Sequence, residues 1–465
     1  MTRPFRLPIL ALALPLAMAP AARPDVAPPP PTRPNFVFFL TDDQRADALS
    51  LAGNPLLKTP NIDRIGREGA WFRNAFCVNA LCTPSRASFL TGKYGHTTGC
   101  LDNSDHQSLP RREVTVAEIL KAGGYEVAFV GKSHIQGNLR DRPWDYYFGF
   151  QGQGRYVDPI IAEDGGPDRP YPGYMDDVLT DKALAYLARP HPRPFCLFLW
   201  FKAPHRSWVR APRYAKLYEG ETVVEPPTFR AGLAGKSRSV AEADMQIGSA
   251  NHPDVPTLDK LVKDYSATIA AVDDNVGRVL ADLDRRGIAD DTAVIYGSDN
   301  GFFLGEWNFF DKRLMYEPAI RIPLLVRYPR AIKPGTVRAE MALNIDLAPT
   351  ILEWAGLPVP AAMQGKSLAP LAAGRDVPWR DAWLYEYYEF PRPHNVRPHR
   401  GVRTDRWKLI HFHATEPQEW ELYDLQADPD ERVNLHGRPE HAATEEGLRR
   451  RLAELRRETA DPGPE

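Results

Sequence analysis

Cys82-Thr83-Pro84-Ser85-Arg86 places a sulfur nucleophile precursor, a turn-forming proline, a hydroxyl and a fixed cation within five residues. Ser85 reads as the N-cap of a helix whose first turns are Arg86 to Leu90. Cys82 then lies just before a helix N-terminus, where backbone N–H groups favour anions. Arg86 cannot be deprotonated and can grip an oxyanion with two parallel donors. The local chemistry is that of a nucleophile facing a tetrahedral anion. A buried cysteine beside an ordinary helix cap would account for these five residues taken alone.

Further charged groups follow apolar runs. Asn35 to Leu40 ends in Thr41-Asp42-Asp43, and two adjacent carboxylates repel unless a cation neutralises them. Thr292 to Tyr296 runs into Asp299 and Asn300, which add two more oxygen ligands. Three carboxylates and an amide oxygen, with no histidine next to them in sequence, suit Ca²⁺ (or Mg²⁺) better than zinc. Tyr125 to Val130 leads to Lys132 and His134, and Phe195 to Phe201 leads to His205. Histidine exchanges protons near neutral pH. Asp311-Lys312 stands in a later loop. A solvated turn is the plain alternative for each of these groups seen singly.

These groups need a frame. The near-continuous apolar runs read as parallel strands buried on both faces, and ligands in open α/β sheets bind at the strands' carboxyl ends. Ala70 to Phe76 and Ile322 to Val326 read as further strands. Helices are expected from Thr59-Pro60, over Thr115 to Ala122 before Gly123-Gly124, and over Leu258 to Arg286. In the last of these Leu261, Tyr265, Ile269, Val272, Val276, Val279 and Leu283 recur at helical spacing. Past about residue 376 come short strands of an antiparallel sheet at Ala382–Tyr388, Gly401–Thr404, Trp407–Phe412 and Glu421–Asp424. A charged helix, Glu445–Glu458, closes the chain. The fold class is α/β: a mixed sheet sandwiched by helices over 34–375, with a smaller C-terminal antiparallel-sheet subdomain over 376–465.

The 465 residues are 43% hydrophobic and 25% charged, which describes a globular chain with a full core. A net charge of -2 makes no electrostatic case for nucleic acid. Arg3 and Arg6 precede an apolar run, Leu7 to Met18, then small residues, as in a secretory signal peptide (1–21) cut near Ala19 or Ala21. The run is short and broken by proline, so stable membrane insertion is not expected; an uncleaved anchor is the alternative. Residues 22–33 read as a proline-rich linker. The product would be exported, periplasmic or secreted. Export permits disulfides; Cys77 and Cys100 are one candidate pair, and Cys196 reads as a buried strand residue.

Cys82-x-Pro84-Ser85-Arg86 with Thr91-Gly92 resembles the formylglycine-dependent sulfatase family. Gly124-Tyr125, Gly131-Lys132 and His134 match its second motif, departing only at Ser133, where an aromatic is common. The resemblance implies an alkaline-phosphatase-like fold. It implies that a maturating enzyme oxidises Cys82 to formylglycine, whose hydrated gem-diol is the nucleophile. It implies Ca²⁺ held by Asp42, Asp43, Asp299, Asn300 and modified Cys82. Arg86 and Lys132 would orient the nucleophile with His134 beside it; Lys132 and Lys312 would grip the sulfate, and His205 would protonate the leaving alcohol.

Gly401-Val402-Arg403-Thr404 and the Trp407–Phe412 run are similar to N-acetylglucosamine-6-sulfatases and to mucin- or glycosaminoglycan-desulfating members. Tyr385 to Glu389, His394, Arg397 and His399 offer groups suited to a sugar with anionic neighbours, with Arg397 and His399 the named substrate contacts. Surface decoration explains the same residues. A sulfated carbohydrate, foremost 6-O-sulfated N-acetylglucosamine, is the expected substrate. The alternatives are a phosphonate monoester or phosphodiester hydrolase, and a non-catalytic sugar-binding protein whose Cys82 stays a thiol.

Overall fold

The strands at the centre are buried along nearly their whole length, because neither face meets water. A computed structural model of the chain describes residues 1, 2, 4, 33–104, 108–135 and 139–462. The expected signal peptide and linker fall outside these, apart from Met1, Thr2, Pro4 and Arg33. Residues 33–465 form one unit around a ten-stranded sheet. Its order is Thr336–Arg338, Ala70–Phe72, Leu324–Arg327, Thr292–Ser298, Asn35–Thr41, Phe195–Trp200, Glu126–Lys132, Tyr146–Phe150, Ile160–Glu163, Arg169–Pro170. From Thr292–Ser298 to Tyr146–Phe150 the neighbours pair in parallel. Leu324–Arg327 runs antiparallel to both its neighbours.

Side-chain alternation sorts the core into two layers. Phe36, Phe38 and Leu40 pack with Phe89 and Leu90 of the Cys82–Thr91 helix and with Val116 and Leu120 of Val116–Ala122. Val37 and Phe39 face the other way, against Ile62 and Ile65 of Pro60–Arg67, Leu179 of Met175–Leu187 and the long helix Leu258–Arg285. All seven of that helix's periodic residues are buried. Thr115 closes a capping box with Glu118, which fixes where the Val116–Ala122 helix begins.

The C-terminal sheet orders Ala382–Tyr387, His399–Thr404, Trp407–Phe412 and Glu419–Asp424 as an antiparallel meander, flanked by Ala442–Glu458. Its Trp383, Tyr385 and Val402 join the same core as Phe76 and Phe38. The expected strand over Ala70 to Phe76 is two strands, Ala70–Phe72 and Ala75–Phe76. Asn74 donates its amide to Ala339 O (2.7 Å) between them, and the second piece leaves the large sheet to pair with Ala342–Leu343.

Candidate active site

Parallel pairing brings the strand-end residues to one edge. Thr41 lies opposite Ser298, so Asp42-Asp43 and Asp299-Asn300 leave the sheet side by side. Asp43 N donates to Asp299 Oδ1 (3.0 Å), Asp299 N to Thr41 O (3.1 Å) and Asp42 N to Ala203 O (3.1 Å). Lys132 closes its strand, with His134 just beyond, and His205 follows Phe195–Trp200. The Cys82–Thr91 helix, every residue of it buried, presents its first turn to this edge. Cys82 is its first residue and Leu81 holds the N-cap position, which corrects the expected Ser85 cap. Ser85 Oγ instead donates to Asp299 O and accepts from Asn344 Nδ2 (2.9 Å), tying the helix to the metal-type residues.

The fixed cation sits at the centre. Arg86 Nε donates to Asp299 Oδ2 (2.9 Å), one terminal nitrogen to Asp42 Oδ2 (2.8 Å) and the other to Lys132 O (2.5 Å). Lys132 Nζ lies 2.5 Å from Asp42 Oδ2. Lys312 Nζ pairs with Asp43 Oδ1 and stands 3.3 Å from Cys82 Sγ, itself 3.6 Å from Asp42 Oδ1. His205 Nδ1 lies 2.6 Å from Arg206 O, a pure acceptor, so its proton sits there and Nε2 faces Asp43 Oδ2 at 3.8 Å. A histidine therefore does adjoin the carboxylates in space, contrary to what adjacency in sequence suggested.

Burial sets the titration of these groups. It pushes Asp43 up to about 7, against Lys312 and with Asp42 and Asp299 adding to the push. It raises Asp299 too, with Asp42 adding. Burial also works to raise Asp42, but Lys132 and Arg86 hold that carboxyl well below the usual range. Burial and then Lys132 lower His134 and His205. Burial and Asp42 push the Cys82 thiol up, so the unmodified sulfur is a poor nucleophile here.

The donor set fits a hard cation. One carboxylate oxygen each from Asp42, Asp43 and Asp299 lie within 4.8 Å of one another. Asn300 donates through Nδ2 to Asp43 Oδ1 and Gly301 O (both 2.8 Å), while its buried Oδ1 has no partner. An orphaned amide oxygen beside carboxylates that burial is trying to protonate is the pattern a divalent ion relieves.

Backbone strain gathers here as well. Asp43 (φ 72°), His134 (φ 46°), Asp311 (φ 79°) and Arg313 (φ 87°) occupy the left-handed region without being glycine. Lys312 is thus held between two such residues. Asp311 accepts from Lys312 N (2.8 Å) and meets His394 Nε2 at 3.1 Å; Arg313 pairs with Glu389. Thr83 N donates to Asn103 Oδ1 (2.9 Å), and Asn103 N to Glu389 Oε1 (3.1 Å).

Asn103, Gln153, Lys202 and Arg313 were not picked out as site residues from sequence; Glu389 and His394, offered as sugar-facing groups, instead pair with Arg313 and Asp311. Only the turn Gly152-Gln153-Gly154 carried a local signal. One expected substrate contact, His399, is corrected. His399 is fully buried among Tyr385, Tyr387 and Phe412, its Nδ1 2.8 Å from Arg397 O, and burial lowers it to about 4; it is a packing residue. Arg397 is half-buried, paired with Glu242 (3.2 Å) and laid over the Phe390 ring. Cys77 and Cys100 are free, buried thiols rather than a disulfide, and Cys77 Sγ instead lies 3.5 Å from Ile320 O.

A parallel-centred sheet sandwiched by helices, with carboxylates, cations and a cysteine at its carboxyl edge and a small antiparallel sheet appended, defines an alkaline-phosphatase-like hydrolase. The sulfatase family model matches residues 34–357, and the N-sulphoglucosamine sulphohydrolase C-terminal model matches 305–458. The N-acetylglucosamine-6-O-sulfatase of Bacteroides thetaiotaomicron is 36% identical over 499 residues, covering 93% of this chain and 88% of that one. The multifunctional alkaline phosphatase superfamily protein of Trinickia caryophylli is 30% identical, covering 89% of this chain and 93% of that one. A solved structure of a protein in complex with its substrate D-glucosamine-2-N,6-O-disulfate superposes with a TM-score of 0.88 at 36% identity. It covers 93% of this chain and 99% of that one. The chain belongs to the sulfatase family and is a sulfuric ester hydrolase.

Proposed function

We propose that the chain removes 6-O-sulfate from N-acetylglucosamine units of glycosaminoglycan or mucin glycans. The observation that carries this is the buried Asp42–Asp43–Asp299 cluster, with Asn300 Oδ1 unpartnered, set against Cys82 and three cations. Support for the sugar comes from the Bacteroides thetaiotaomicron relative and the glucosamine disulfate complex. Asp42, Asp43, Asp299 and Asn300 would hold Ca²⁺, which would neutralise the carboxylates and draw charge from the sulfate oxygens. Cys82, converted to formylglycine by a maturating enzyme, would supply a hydrated aldehyde as the nucleophile toward sulfate sulfur, with the sugar alcohol as leaving group.

The chain's own groups do the rest. Arg86 holds Asp42 and Asp299 in place and faces the nucleophile's side of the site. Lys132 and Lys312 bring positive charge to the sulfate oxygens, where it builds during transfer. His205 Nε2, the ring nitrogen left bare by the Nδ1 bond to Arg206 O, faces the site and would have to take up a proton before giving it to the leaving sugar oxygen; His134 stands beside the nucleophile. Among the described residues no helix is long and apolar enough to cross a membrane, and the segment from Arg3 to Ala21 supports export to the periplasm or medium.

A panel of sulfated mono- and disaccharides tests the substrate. Release from 6-sulfated N-acetylglucosamine is expected; release only from another sugar defeats the proposed substrate. Phosphonate or phosphodiester hydrolysis is the second reading, and aryl esters of each type separate it from sulfate hydrolysis. Peptide mass spectrometry of Cys82 shows whether the aldehyde forms.

A further inference from the structure

The loop after the Tyr146–Phe150 strand reaches into the site by one side chain. Gln153 is itself exposed, yet its polar atoms meet three buried groups. Its Oε1 accepts from Lys132 Nζ at 2.6 Å. Its Nε2 stands 3.5 Å from His134 Nε2, and its backbone oxygen accepts from Lys202 Nζ at 2.9 Å. The amide thus touches Lys132 and His134 from the solvent side, the side from which a substrate must arrive. The loop is held to this shape. Gly152 (φ 64°) and Gly154 (φ 63°) flank Gln153 in the left-handed region, and a Cβ on Gly154 would lie 2.5 Å from the Phe150 ring. Ser133 anchors the loop's base, donating through N and Oγ to Phe150 O (both 3.1 Å).

We propose that Gln153 is a positioning residue that aims the Lys132 ammonium and the His134 ring and shares Lys132 with the anionic end of the substrate. Lys132 has three donors: one goes to Asp42 and one to Gln153, and a sulfate oxygen is the natural acceptor for the remaining one. A neutral amide suits this place. It fixes the ammonium's direction without cancelling its charge, whereas a carboxylate at the same distance would compete with the sulfate. His134 Nε2, accepting from the amide N–H, is kept from turning toward the mouth. The proposal rests on Lys132 being the sulfate-binding cation.

Sulfate binding and turnover test it together. Calorimetric titration of inorganic sulfate would be run on Cys82→Ala protein, alone and combined with Gln153→Glu or Lys132→Ala. Gln153→Glu should weaken sulfate by about ten-fold or more while the melting temperature stays within about 2 °C of its parent. In otherwise native, matured enzyme, Gln153→Ala should cut kcat about ten-fold with KM moving less than about three-fold. Unchanged sulfate affinity in Gln153→Glu, with Lys132→Ala abolishing it, overturns the role of Gln153 and leaves the site reading standing. Unchanged affinity in both variants sinks the site reading too. A Gln153→Ala enzyme with parental kcat also overturns the proposal.

Discussion

Among the clusters of buried charge in the described residues, two differ in how they end. One is the strand-edge centre of Asp42, Asp43, Asp299, Arg86, Lys132 and Lys312. The other joins the C-terminal sheet to the main body. There Lys408 Nζ, fully buried, donates to Glu431 Oε1 (2.7 Å) and reaches Glu317 Oε1 (2.9 Å), while Arg403 lies 3.3 Å from Glu317. Glu431 also accepts from Glu317 N at 2.8 Å. None of these four side chains leaves a buried polar atom unpartnered, whereas beside the first cluster's charged groups Asn300 Oδ1 and His134 Nδ1 are both left so. Titration alone does not separate the clusters, since each holds a carboxyl that burial raises, Glu431 in one and Asp43 in the other, and one that cations hold down. Glu317, which burial pushes up, is held well below the usual carboxylate range by Lys408 and Arg403, as Asp42 is by Lys132 and Arg86; Asp43 rises to about 7. Buried charge alone therefore does not mark a catalytic centre. What sets the strand-edge centre apart is unpartnered Asn300 Oδ1 and His134 Nδ1 beside a cysteine on which cations converge.

The comparison can be broken by experiment. Cys82→Ala should reduce turnover by about 10⁴-fold or more and leave the melting temperature near the parent's, because the residue serves the ester and not the fold. Comparable loss of melting temperature would make the centre structural. Lys408→Met should do the reverse. Leaving buried Glu431 without a cation costs about 3–5 kcal/mol of stability, read by denaturant unfolding, while kcat of the folded fraction stays near parental. A kcat deficit without a stability deficit would count against the fastening role.

His205→Ala should slow a sugar sulfate by about 10²-fold more than a nitrophenyl sulfate, since only the poor alkoxide needs the proton. Equal losses on both would remove the acid role. Chelation should abolish activity and lower the melting temperature by roughly 2 °C or more, in the parent and in Lys408→Met alike. A chelator that costs activity but no stability would argue against an ion at the Asp42–Asp43–Asp299 cluster.

The smallest effect is expected in acid. A carboxylate with a lowered folded pKa stabilises above its unfolded value of about 4.3, and that stability is lost as pH falls below it. Glu317→Gln should flatten the fall of melting temperature between about pH 4.5 and pH 3. An unchanged slope would mean that other carboxylates carry acid unfolding.

Much of the centre was legible in the chain because chemistry and position coincide there. Apolar runs that tolerate no exposed face had to be parallel inner strands, and Asp42-Asp43, Lys132, His205 and Asp299-Asn300 each stand just past one. The Cys82 helix, the long 258–285 helix and the four C-terminal strands were likewise local matters of periodicity and punctuation. Helix capping was less so. Ser85 has the right type for a cap, but its hydroxyl found a better acceptor in Asp299 O, a contact 214 residues away.

What the sequence by itself determined is which groups exist and which strand ends they occupy: the nucleophile precursor, the oxygen donors, the cations and the frame. Tertiary structure alone decided how those groups are finished. It placed Gln153 over Lys132, set His394 against Asp311 and Glu389 against Arg313, and sealed His399 inside three rings. These are loop-to-loop choices between distant segments. Periodicity reports only which face of an element turns inward, whereas a side chain's partner is fixed by where the whole backbone brings donors and acceptors within about 3 Å.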